Sequence, residues 1–297
     1  MGNKLDVLSY NSFHKLLREK ILLKFYFSNE FKGIGISEGI ERGVLVDYNN
    51  ECIVQEGMGL GSPAIKTKNG TYFSCTSILQ KISDTEYKKE FYIDSELVWE
   101  ILKLKSKRLN DSSLLTSFIN KLTELYKKLP YLQKNLLKLG IFSRDFFQIK
   151  SKIKHSGYLG KILFNYKFLK DGVLIEIDFS NIITHNKKSV SKICVLNELG
   201  GDYFDSRKVG SKIGEPPSGW VELNGRKDNK LYSKRFKIDY DVKILKITPE
   251  YKFDLIYGRE KLSDFCWAGY DIEIDVNSIN DQRNEYKLQY FCNLKEV

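Results

Sequence analysis

The chain has 297 residues, of which 42% are hydrophobic and 13% aromatic. That is ample apolar surface for a buried core and excludes wholesale disorder. Lys and Arg number 48 against 38 Asp and Glu, a net charge of +10; no run of about 18 apolar residues is present, which excludes a transmembrane helix.

The chain opens Met1-Gly2-Asn3-Lys4-Leu5-Asp6, without the apolar stretch of a signal peptide, and Asp6 stands where a myristoylation motif needs Ser or Thr. The expectation is a cytoplasmic globular protein with no membrane partner. Residues 1–94 then read as a β-rich block with balanced charge. Strands are expected at 20–27, 42–48, 52–56, 71–77 and 87–93, separated by Gly39, Asn49-Asn50 and Asn69-Gly70. Asn-Gly between β-prone runs is a strong hairpin signal. The run Gly57-Met58-Gly59-Leu60-Gly61-Ser62-Pro63 invites comparison with a dinucleotide fingerprint, but Ser62 and Pro63 break the pattern and no helix follows. A phosphate-binding loop would end Gly-Lys-Ser/Thr, which is missing. The expected structure is a turned β connection, and no cofactor is implied.

Residues 95–154 carry a balance of +8, so most of the net charge sits in sixty residues. A helix capped at Asp94-Ser95 is expected to run through Leu97, Val98, Ile101 and Leu102. Asp111-Ser112 opens a second, with apolar spacing from Leu114 to Leu129 and a stop at Pro130. Shorter helices follow over 132–139 and from Ser143. Lys103, Lys105, Lys127 and Lys128 fall on the outer faces of these helices. They form either a plain solvated face or a docking surface for nucleic acid or an acidic protein. The segment holds only Arg108 and Arg144 as arginines, which is few for phosphate recognition.

Residues 155–297 return to β texture, with nine strands expected at 160–168, 173–179, 192–196, 220–223, 231–238, 242–247, 252–257, 265–276 and 286–293. The fold class is therefore α+β: mainly an antiparallel β-sandwich or barrel, with a central helical segment inserted between two β blocks. Alternation in Val173-Leu174-Ile175-Glu176-Ile177-Asp178 places Glu176 and Asp178 on one polar face. The same alternation in Asp271-Ile272-Glu273-Ile274-Asp275 gathers Asp271 with two further carboxylates. If adjacent, such strands would pair carboxylates for acid–base work. The stretch 197–220, with five glycines and two prolines, is expected to be a long binding loop carrying Glu198, Asp202, Asp205 and Arg207. Trp220, Trp267 and Tyr270 are candidate stacking platforms. His155 and Tyr158, at the helix-to-sheet junction, are candidate acid and base.

Five cysteines occur without a CxxC pair and three histidines without metal-ligand spacing, so no metal site is expected. Two functional readings follow. One is binding or processing of a small polar ligand, with a carbohydrate the best match, by carboxylates and edge aromatics of the C-terminal block. The other is docking of a nucleic acid or protein partner through the lysine-rich segment.

Overall fold

Period-two alternation of apolar residues builds almost every element. The computed structural model describes residues 23–28, 38–68, 70–101, 149–217, 219–223, 229–248, 251–262, 265–279 and 285–297. In chain order the strands are β1 (Leu23–Tyr26), β2 (Leu45–Tyr48), β3 (Glu51–Cys52), β4 (Gly59–Thr67), β5 (Thr71–Lys81), β6 (Glu86–Ile101), β7 (Ile149–Leu169) and β8 (Gly172–Asp178). A short helix, α1 (Ser180–Asn186), precedes β9 (Val190–Gly200), β10 (Ser206–Val209), β11 (Lys212–Gly214), β12 (Gly219–Glu222) and β13 (Asn229–Ser233). The last four are β14 (Ile238–Thr248), β15 (Phe253–Leu262), β16 (Phe265–Asp275) and β17 (Lys287–Glu296). Among the described residues no helix is long and apolar enough to cross a membrane.

Fourteen strands form one antiparallel sheet in the order β11-β10-β13-β14-β17-β8-β7-β6-β5-β4-β9-β16-β15-β12. The β4–β9 and β6–β7 pairings make the N-terminal and C-terminal β regions a single sheet. Among the described residues it is not a closed barrel, because β11 and β12 each have one neighbour there. Its two halves nevertheless face each other. Tyr240 on β14 donates its hydroxyl to Asn197 O on β9, and Tyr270 on β16 donates to Tyr240 O, at 2.9 and 3.0 Å. Ile175, Ile177, Tyr166 and Val242 from one half share a core with Ile193, Val195, Ile272 and Ile274 from the other.

β1, β2 and β3 form a small separate sheet, with Asn49 and Asn50 both at positive φ in the β2–β3 turn, the geometry of a type I′ hairpin. This sheet packs into the same core: Phe25 meets Phe168 at 5.8 Å and Phe27 meets Tyr166 at 5.1 Å between ring centres. None of the five cysteines forms a disulfide, and Cys194, Cys266 and Cys292 are buried.

Three expectations need correction. Residues 95–101, expected to start a helix, continue β6. Leu97 and Val98 pair with Ile153 and Lys152 of β7, and this long pairing overrides the capping signal of Asp94-Ser95. Consequently β6 and β7 continue past positions 94/95 and 154/155, with a register irregularity between Ile93 and Ser95. The helices expected from Asp111 to Gly140 lie outside the described residues, and Ile149, expected in the helix opened by Ser143, begins β7. Second, Gly59 and Gly61 do not form a turn but begin β4, which pairs with β9 through a bulge between Leu60 and Ser62. Third, 197–220 is not one long loop: β9 continues to Gly200, and β10, β11 and the start of β12 occupy much of the rest. Helix α1 has no sequence expectation; Asp178 Oδ1 accepts from Ser180 N at 2.9 Å and turns the chain into it.

The core contains polar groups that the fold must satisfy. Asn197 is fully buried, and its Oδ1 accepts from Gly61 N at 3.0 Å and from the Tyr290 hydroxyl at 2.9 Å. Replacing it with leucine orphans both donors at about 1–3 kcal/mol each. Asn197→Leu is therefore expected to lose about 2–6 kcal/mol in urea unfolding, whereas an exposed change such as Lys170→Ala stays within about 0.5 kcal/mol.

Burial holds the phenols of Tyr166, Tyr240, Tyr270 and Tyr290 well above their ordinary range. Each stabilises the fold fully below the unfolded tyrosine value of about 10 and loses that contribution as pH rises above it. Tyrosinate absorbance of these four is expected to appear together with the loss of circular dichroism, above pH about 10. Titration of all tyrosines before unfolding would contradict the network.

Candidate functional site

On β9 and β16 alternation splits the side chains cleanly. Asn197, Leu199, Tyr270, Ile272 and Ile274 face the core, and Glu198, Trp267, Asp271 and Glu273 face outward. Register then aligns residues across five strands. Gly59 of β4 lies opposite Glu198, Glu198 opposite Gly269 of β16, Gly269 opposite Gly258 of β15, and Gly258 opposite Trp220 of β12. A glutamate and a tryptophan thus bracket a strip that carries no side chain. The next row on one side holds Gly200, Trp267 and Glu260; the row on the other holds Leu196, Asp271 and Ile256.

The strip has a steric origin. A Cβ on Gly269 would lie 2.2 Å from Asn197 O, and one on Gly258 only 2.0 Å from Gly219 O. The neighbouring backbones approach too closely there for any other residue.

The bracketing side chains are tied down. The Trp220 indole donates to Glu260 Oε2 at 2.9 Å and the ring is buried. Glu198 Oε2 accepts from Met58 N at 3.2 Å. Glu198 and Asp271 are only 9% and 7% exposed, so the carboxylates are recessed, while Trp267 keeps part of its surface. Farther along, Glu273 receives Lys66 at 3.0 Å and Lys192 at 2.7 Å. Burial raises the Asp254 carboxyl, Lys192 opposing and Glu222, Glu273 and Asp275 adding to the rise.

Other sequence-derived candidates lie elsewhere. Glu176 and Asp178 sit on β8 in the facing half of the sheet; because Ile175 and Ile177 point into the shared core, their carboxylates point away from those of β16. The two acidic faces are not brought together. Glu176 receives Asn165 Nδ2 at 3.5 Å, and Asp178 is engaged by Ser180 N. His155 is 80% exposed, 3.8 Å from Asp94 Oδ2, and Tyr158 stands 6.4 Å from the Tyr92 ring. Asp202 lies 3.6 Å from the Arg259 guanidinium, and Asp205 accepts from the Ser206 hydroxyl at 3.0 Å. Arg207 is on β10 near the sheet edge, opposite Leu231 and Gly214. Tyr270 is a core residue, its hydroxyl accepting from Leu231 N and donating to Tyr240 O, so it presents no face to a ligand. Lys103, Lys105, Lys127 and Lys128 lie outside the described residues.

A second group of charged residues, absent from the sequence reading, fills the gap where β4 and β5 diverge. Lys89 is 4% exposed, with its ammonium 3.2 Å from Glu41 and donating to Arg42 O at 2.8 Å; the Ser77 hydroxyl donates to Glu41 Oε2. The sequence holds the signal for Lys89, which shares its strand parity with the core residues Tyr87, Phe91 and Ile93. Arg42 is buried beside the chain linking β3 to β4. Desolvation pulls its pKa down, opposed by Cys52, Glu56, Glu198 and Tyr26 nearby.

No family model, curated protein or solved structure matches this chain.

The strip yields its own structural test. Gly269→Ala forces a Cβ onto the Asn197 carbonyl and is expected to cost about 1–3 kcal/mol or more. Gly214→Ala, where a Cβ meets nothing within 4 Å, is expected to stay within about 0.5 kcal/mol in the same unfolding assay.

Proposed function

We propose that the chain is a β-sandwich protein that binds a small polar ligand, a carbohydrate being the best chemical match, on the outer face of β9, β16, β15 and β12. The observation that carries this reading is the register row. It puts Glu198 and Trp220 at the ends of a recessed strip without side chains, flanked by Trp267 and Glu260 on one side and Asp271 on the other. A sugar ring needs a flat apolar surface for its C–H faces and fixed acceptors for its hydroxyls. Trp267 supplies the first; Glu198, Glu260 and Asp271 supply the second. The recessed carboxylates are held by the sheet before a ligand arrives, which lowers the ordering cost of binding. Glu176, Asp178, His155 and Tyr158 stand apart from this face and have no part in the reading.

Screening against immobilised oligosaccharides followed by calorimetry tests the idea. Trp267→Ala and Asp271→Asn are each expected to weaken binding at least tenfold, about 1.4 kcal/mol. Glu176→Gln, in the facing half of the sheet, is expected to leave it unchanged. Absence of binding to any oligosaccharide, or equal effects of all three changes, sinks the reading.

The +8 balance of residues 95–154 supports a second reading, docking of a polyanion through Lys103, Lys105, Lys127 and Lys128. Its signature is affinity for an oligonucleotide that drops steeply with salt and vanishes when the four lysines are neutralised.

A further inference from the structure

At the Glu198 end of the register row, two polar groups are unmatched. Arg42 is 6% exposed, and no carboxylate of the described residues lies within ion-pair distance of its guanidinium. Its Nη2 donates to Gln55 O at 2.7 Å, but its Nε–H has no acceptor. Gln55 is held at φ +47°, and its buried Oε1 has no donor. That oxygen lies 2.5 Å from where a Gly200 Cβ would stand, so the missing side chain of Gly200 makes room for it. Gly200 shares a strand face with Glu198, and Met58, three residues after Gln55, bonds the Glu198 carboxylate. An unmet buried donor and an unmet buried acceptor each cost about 1–3 kcal/mol, and native interiors rarely leave either.

We propose that Arg42 Nε–H and Gln55 Oε1 form a hydroxyl-binding site that selects a neutral polyhydroxylated ligand. The inference rests on the ligand face proposed above and names the class of ligand it accepts. The chemistry follows from the pair. A hydroxyl accepts from N–H and donates to C=O at once. A carboxylate or phosphate has no proton for Oε1 and would meet Glu56 and Glu198; an ammonium has no lone pair for Nε–H. A hydroxyl can come from a sugar or from a bound water, and only the first gives the site a role in recognition. Gln55→Met separates these, because it deletes the acceptor while keeping the backbone carbonyl that Arg42 uses.

The experiment titrates the full chain, Gln55→Met and Trp267→Ala with maltotriose, mannotriose, glucuronate, glucosamine and glycerol. Calorimetry reads affinity, and the Arg42 Nε–H resonance reports on the site itself. The expected result is binding of a neutral trisaccharide that shifts this resonance and weakens at least fivefold in Gln55→Met, with glucuronate and glucosamine binding more weakly. The thermal midpoint of free Gln55→Met is expected to match or exceed that of the parent, since an unmet acceptor is removed. Trisaccharide binding that Trp267→Ala weakens but Gln55→Met does not, with the resonance unmoved, overturns the hydroxyl site and leaves the ligand face standing. A resonance shift by glycerol that Gln55→Met abolishes, with Trp267→Ala without effect on any sugar, supports the site and removes the ligand face. A resonance unmoved by every probe overturns the site, and a water is then its only occupant.

Discussion

Asn197 is a point at which several strands from the two halves of the sheet are joined. Its side-chain oxygen takes the amide of Gly61 on β4 and the hydroxyl of Tyr290 on β17, with the Cys292 thiol at 3.4 Å; its backbone oxygen takes the Tyr240 hydroxyl from β14. Tyr166 on β7 completes the circuit by donating to Gly61 O at 2.6 Å. Four strands from both halves therefore meet at one buried residue, and β7 joins them through Gly61. In a medium of low dielectric such bonds are strong when every partner is present and costly when one is missing. Apolar packing alone would let the two halves slide past one another; directional bonds to a single residue admit one alignment.

That alignment governs the outer surface as well. Because Asn197 points inward, Glu198 must point outward, and the register that brings Tyr270 to β14 also sets Gly269 beside Glu198. The close approach that excludes side chains at Gly269 and Gly258 lies in the same register row. The polar interior and the bare strip outside it are two faces of one geometric choice. Charge is distributed by the same logic: Glu273 lies between Lys66 and Lys192, and Asp239 between Lys208 and Lys230, at cross-strand positions. Among the described residues, Arg42 has no carboxylate within ion-pair distance, although Glu56 and Glu198 act on it from farther away.

Much of the strand pattern is legible in the sequence, because alternation is a local property. The strands at 173–179, 265–276 and 286–293 fall where the apolar parity puts them, and the β7–β8 turn is Lys170-Asp171, one residue before the Asp171-Gly172 pair that local chemistry suggests. What local reading misses is decided by distant partners. Residues 95–101 carry a good helix start, yet residues 149–155 supply a ladder that wins. The glycines at 59 and 61 look like a loop because strands rarely tolerate them; β9 and the backbone of Val44 pair with that stretch and make it a strand. For the site, the sequence singles out Glu198, Trp220, Trp267 and Asp271, and these share one face of adjacent strands. It also singles out Glu176 and Asp178 by the same alternation, and topology sends them to the opposite side. Tyr270 shows the limit of aromatic content as a guide, since a core phenol and a surface platform read alike. Arg42 and Gln55 carry no sequence signal, because the unmatched Nε–H and Oε1 that set them apart depend on how distant segments enclose them.

The sheet order has a consequence for how the chain is made. β4 lies between β5 and β9, but β9 begins at Val190, well over a hundred residues after β4 ends at Thr67. At ribosomal speeds of about 5–20 residues per second, the hydrogen-bonding edge of β4 waits on the order of ten seconds for its second neighbour. During that interval an apolar strand edge with Leu60, Ala64 and Ile65 is available to any other nascent strand nearby. The long-range pairing that unites the molecule thus gives the growing chain a defined period of exposure, and makes its yield in the cell depend on whatever shields that edge until β9 emerges.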